Sequence, residues 1–153
     1  MSRVKKLLLA LLLVFIVMQF IRPPQNKTNE VQEADLIKQF SIPANVAGIL
    51  KTSCYDCHSN NTRYPWYTNI QPAGWLLANH IKDGKEDLNF NEFANYSHRR
   101  QLSKLKATQN SIKDGSMPLS SYTLIHTDAK LSNESRALLL NWTSKVIDSL
   151  SRQ

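Results

Sequence analysis

Apolar residues along this chain fall into one continuous block followed by a series of helical stripes. Residues Leu7 to Ile21 are apolar at every position but Gln19. After Pro23 the chain becomes polar, and apolar residues return at spacings of three and four, the period of a helix with one buried face. Leu36, Ile37 and Phe40 suggest a short helix within 31–40. Pro43 suits the first position of a second helix, whose face Val46, Ile49 and Leu50 leads directly to Cys54. Residues 59–72 read as a loop rich in aromatic residues. A helix is expected from Pro72 to Lys82, stopping at Gly84, with Trp75, Leu76, Ala78 and Ile81 as its stripe. Asn89 or Asn91 is placed to cap the next turn among Leu88, Phe90, Phe93 and Tyr96. Leu102, Leu105 and Ile112 predict a helix over 99–113 ending at Gly115. Ser132 is placed to cap a last helix to Leu150, with Leu138, Leu139, Trp142 and Val146 on the face that would meet the helix before Cys54. No segment alternates with the period of a strand, so the expected fold is all-α.

The apolar block changes the picture of the N-terminus. It follows Ser2-Arg3-Val4-Lys5-Lys6, and this order of basic leader and apolar run is that of an export signal. A span needs ~20 apolar residues, which this run barely approaches. No small-x-small cleavage site follows Ile21, which favours an uncleaved anchor over a released signal peptide. The expected organisation is therefore 1–22 as signal or anchor, 23–30 as tether, and 31–153 as one domain. The basic end would stay in the cytoplasm and the remainder would be periplasmic, tethered to the inner membrane by residues 7–21.

Charge narrows the partners. The formal net charge is +7, but Arg3, Lys5, Lys6 and Arg22 are four of the nineteen basic residues and no acidic residue precedes Glu30. The rest is only mildly basic. Arg99, Arg100, Lys104 and Lys106 make the one basic cluster, which fits a solvated helix face, so no nucleic-acid partner is expected.

The candidate chemistry lies in Cys54-Tyr55-Asp56-Cys57-His58, which holds the only two cysteines. Two thiols separated by two residues and followed by an imidazole form the attachment pattern of c-type haem. Each thiol adds across one porphyrin vinyl group, and the histidine that follows is placed as the proximal iron ligand. A dithiol of the thioredoxin kind would expect a neighbouring βαβ pattern, which is missing. A zinc site would need a fourth ligand. Export of the chain agrees with haem c, which bacteria attach outside the cytoplasm. For the far side of the iron, Met117 is the one thioether outside the N-terminal segment, and Pro118 stiffens the backbone beside it. His80 and His126 are the alternatives. Trp66 and Tyr67 are candidates to cover the haem, or to pack on a helical core. Arg63 is a candidate for a propionate, or for solvent.

These residues resemble a known family. Cys54 to Asn60 with Thr62-Arg63-Tyr64-Pro65-Trp66-Tyr67, then Asp83-Gly84-Lys85, Leu88 to Glu92 and Met117 to Tyr122, are similar to the small bacterial haem-binding domain with a CxxCH motif. The resemblance extends from about Ala44 to Trp142. Leu119 stands where that family often has a second proline. The resemblance implies a cytochrome c-like helical domain around one covalent haem, in the periplasm. Function is then expected to be single-electron transfer between redox partners that the sequence does not name, without a reaction of its own. The alternative is a haem-based sensor or peroxidase-like protein with an open or displaceable sixth position.

Overall fold

The computed structural model describes residues 2–152, and among them all regular structure is helical. The apolar block forms α1 (Arg3–Met18), capped by the Ser2 hydroxyl. The chain turns at Gln19 and Phe20, so the helix stops three residues before the apolar run does. Sixteen residues at 1.5 Å each reach about 24 Å, against ~30 Å for a hydrocarbon core. Among the described residues no helix is long and apolar enough to cross a membrane.

The expected tether lies along the domain. Asn26 donates from its backbone to the Tyr64 hydroxyl at 2.6 Å and from its side chain to the Ser59 carbonyl at 2.8 Å. Its own carbonyl accepts from the Thr62 backbone at 3.0 Å, and its amide oxygen accepts from Lys85 at 2.7 Å. A polar, proline-led stretch predicts a free linker only where no partner satisfies its backbone. Here the loop after His58 is that partner.

Helix α2 is a single turn (Leu36–Gln39), started by the Asp35 carboxylate, which accepts from the Ile37 backbone at 2.7 Å. Helix α3 (Ala44–Ser53) begins after Pro43 and buries Val46 and Leu50. It runs into α4 (Tyr55–His58), one turn containing most of the attachment motif. After a 3-10 turn at Trp66–Asn69, α5 (Ala73–Asp87) runs past Gly84 to Asp87. Its buried face is Gly74, Leu77 and Ile81. Leu76 is therefore exposed, contrary to the expected stripe.

Asn89 caps a 3-10 segment (Phe90–Asn95) through the Asn91 backbone. Helix α6 (His98–Asp114) is capped by Ser97 and ends at Gly115, whose φ of 75° is the left-handed conformation glycine adopts without strain. Two short pieces follow, α7 (Ser120–Thr123) and a 3-10 turn at Thr127–Ala129. Helix α8 (Asn133–Leu150) is capped by Ser132, which accepts from the Ser135 backbone at 3.0 Å.

Helices α3, α6 and α8 form the main core, with α8 packed on both others. Leu50, Phe93, Leu105 and Leu139 are fully buried there. A smaller cluster of Leu77, Ile81, Tyr122 and Ala129 joins α5 to α7, with Cys57 packed against it. Helix α4 lies between the two clusters.

Candidate functional site

One helical turn sets the geometry of the motif. The Cys54 carbonyl accepts from the backbones of Cys57 at 3.2 Å and His58 at 3.0 Å. Positions three and four apart in such a turn share a face, and Cys54, Cys57 and His58 line the same cleft. The two residues between them are held by other parts of the chain. The Tyr55 hydroxyl donates to Asp35 at 2.8 Å while its ring stacks on Phe90 at 5.1 Å between centroids. Asp56 is buried and accepts from Arg63 at 2.9 Å and from the Tyr122 hydroxyl at 2.8 Å. The outward face of the turn is thus fixed by two carboxylates, leaving the thiols and imidazole to the cleft.

His58 is held through one ring nitrogen. Its Nδ1 lies 2.9 Å from the Leu88 carbonyl. A carbonyl only accepts, so Nδ1 carries the proton and donates. The other nitrogen, Nε2, is then left with its lone pair. Holding a ligating imidazole by its second nitrogen fixes both tautomer and ring orientation.

The cleft measures about 450 Å³, within the ~300–1,000 Å³ of cofactor sites. Besides the motif residues, Met117, Leu119, His80 and Tyr122 line it. It continues as a narrower apolar pocket past Leu88, Phe90, Ile112 and Leu131, again shared with Cys54, His58 and Met117. Met117 reaches it because Gly115 reverses the chain at the end of α6 and the Met117 backbone donates to Ser111 at 3.2 Å. The thioether is partly exposed at the cleft.

The thiols are free. Burial, with the Cys57 charge adding, pushes Cys54 up to about 12. Burial, with the Asp56 charge adding, pushes Cys57 up to about 11. Both are neutral at ordinary pH, which does not suit a dithiol working through its thiolate. Among the described residues no three His, Cys, Asp or Glu side chains form a cage for a bare metal ion. A flat apolar group bearing its own metal fits the apolar walls, the paired thiols and the single prepared imidazole.

Other candidates lie elsewhere. Arg63, expected at a propionate, is committed to Asp56: its Nε and Nη2 both reach the carboxylate and its backbone donates to it at 3.0 Å. Lys104 lines the narrower inner pocket and is likewise paired, donating to Asp87 at 2.7 Å. Trp66 is exposed and Tyr67 half-buried, and both line a neighbouring depression instead of the cysteine cleft. His126 shares a hydrogen bond with the Tyr67 hydroxyl at 2.6 Å and stacks on Tyr122 at 4.1 Å. His80 lines both the cleft and the depression.

The residues not anticipated are the ones that seat the motif. Asp35 and Asp56 hold Tyr55 and Tyr122, and Gly84 admits α4: a Cβ there would meet the Cys57 carbonyl oxygen at 2.8 Å. For Asp56 the one signal in the sequence was its place inside the motif. Its partners are loop residues that no periodicity connects to it.

Comparison with known families gives one result. A family model described as a haem-binding domain matches residues 13–145. No curated protein and no solved structure matches the chain.

Proposed function

This chain belongs to the haem-binding domain family, and we propose from that premise that it is an exported c-type cytochrome carrying single electrons. The observation that carries the proposal is His58, whose Nδ1 is held by the Leu88 carbonyl beside two free thiols on one cleft. Cys54 and Cys57 would hold the porphyrin through thioether bonds, and His58 Nε2 would bind its iron. Met117, on the same cleft, is the proposed ligand of the far side. Haem supplies a one-electron couple, which the axial ligands and burial tune.

The chain's own contribution is positional. Asp35 and Asp56 hold the turn, Leu88 holds the imidazole, and Phe90, Ile112 and Leu131 give the inner cleft apolar walls. The reading includes export by residues 7–21 and attachment to the inner membrane through α1, with redox proteins as partners.

Expression in a host that matures c-type cytochromes tests the covalent step. The colour should remain with the chain after denaturation and acid–solvent extraction, and should be lost when Cys54 and Cys57 are both alanine. A parent protein whose haem is extracted intact would refute covalent attachment and leave a haem-binding domain of another kind.

A further inference from the structure

The three longest stretches of the sequence without Asp, Glu, Lys or Arg are 7–21, 64–81 and 115–127. The fold joins them. Gln19 and Gln71 exchange hydrogen bonds, Gln71 donating from its backbone at 2.8 Å and accepting at its carbonyl at 3.1 Å. The Trp75 indole donates to the Ile21 carbonyl at 2.7 Å. Tyr67 and His126 share their hydrogen bond, and Trp66, Leu76 and Ile125 line one open depression. Helix α1 is thereby fastened at its C-terminal end to the start of α5, and the uncharged loops gather beside it.

This uncharged face is also apolar and bare. On that depression Trp66 is 76 % exposed, Ile125 63 % and Leu76 55 %, and Ile70 and Leu124, near them in sequence, are exposed as well. At the junction with α1, Phe20 is 82 % exposed, and Leu7 to Val17 present their large apolar side chains to the outside. A patch of this kind marks a surface that something covers.

Its continuity with α1 identifies the cover. A helix reaching about 24 Å is shorter than a ~30 Å hydrocarbon core, so lipid that accepts it is drawn toward whatever adjoins its end. What adjoins it here is Phe20, Ile21 and the apolar face. No charge on the three stretches has to be stripped of water on entering lipid, and Trp and Tyr favour the headgroup boundary.

We propose that the face bearing Trp66, Leu76 and Ile125 inserts into the headgroup boundary of the bilayer that receives α1. The domain is then seated on lipid in one orientation. His80 and Tyr122 line both this depression and the cysteine cleft, so the cleft is held at a fixed height beside the membrane. The inference rests on α1 as the membrane attachment, and not on the state of the haem.

The test is photolabelling of the full chain in phosphatidylcholine–phosphatidylglycerol vesicles that carry a diazirine on the acyl chain, with labelled sites mapped by mass spectrometry. Label is expected on α1 and also within 64–77 and 119–126. Trp66→Ser with Leu76→Ser and Ile125→Ser should lower the domain label several-fold while α1 keeps its own and the visible spectrum is unchanged. Label on α1 alone would overturn the seating and leave the anchor, the face then being one for a protein partner. No label on α1 would overturn both.

Discussion

Gly84 touches the backbone of Cys57: a Cβ at residue 84 would lie 2.8 Å from the Cys57 carbonyl oxygen and 3.3 Å from its Cβ. The obstacle is backbone, so α4 and α5 would have to move apart. Gly84→Ala is expected to cost about 1–3 kcal/mol, the usual range for overpacking, and to lower the haem carried per chain. Gly48 provides the contrast, since a Cβ there meets nothing within 4 Å. Gly48→Ala, inside α3, should stabilise by roughly 0.5–1 kcal/mol. Thermal unfolding of the two variants without haem gives both signs, and equal melting temperatures would refute the contact.

Asp56 is the buried acceptor that joins Arg63 and Tyr122 to the motif. Asp56→Asn keeps the shape and removes the charge, leaving two donors with a poorer partner. The expected loss is about 2–3 kcal/mol, from the worth of hydrogen bonds to a charged group. Arg63→Gln should cost less, because the Arg63 side chain is 63 % exposed and water replaces part of what it loses. Urea titration at neutral pH ranks them. If Arg63→Gln proves the more damaging, Asp56 is not the centre of the cluster.

The contrast between the Gly84 and Asp56 contacts and the helix ends shows what the sequence carried. Ser132, Asn89 and Gly115 mark helix ends by local chemistry, and each acts as its residue type suggests. The stripes of α3, α6 and α8 were legible because their period reports burial directly. Gly84 was read as a stop because glycine serves both as a terminator and as a point of close approach, and only the position of α4 distinguishes them. The Tyr122–Asp56 bond joins residues 66 apart and leaves no local trace. Arg63 was read toward the cofactor because nothing in the spacing shows that an acid seven residues earlier points back at it. The motif pointed to haem, which the family match supports, while the residues that seat the motif emerged only from the fold.

Alkaline pH should unfold the chain before haem is attached. The Cys54 and Cys57 thiols start from 9.0 and are raised by burial to about 12 and about 11. Burial also raises Tyr55 and Tyr122, reinforced by Asp35 and Asp56 respectively. A group with a raised folded value binds its proton more tightly when folded. Its stabilisation is complete below pH 9 and falls as pH rises through the folded values. Stability of the apo chain should therefore drop between about pH 9 and pH 12. Replacing both cysteines by alanine should make that slope shallower without abolishing it, since the tyrosines remain. A slope unchanged by the double variant would show that the thiols are not buried as described.

Met117 and His80 line the same cleft from opposite parts of the chain, one after α6 and the other on α5. A thioether ligand to ferric iron gives a weak far-red band, and a filled sixth position excludes carbon monoxide from the reduced protein. Met117→Ala should remove the band and allow rapid carbon monoxide binding, while His80→Ala should change neither. Met117 touches the site through a loop, so its loss should cost the fold little beyond a partly exposed side chain. If the parent lacks the band and binds carbon monoxide at once, the sixth position is open. The sensor or peroxidase-like reading then replaces the electron carrier, with His80 the first side chain to test beside the bound gas.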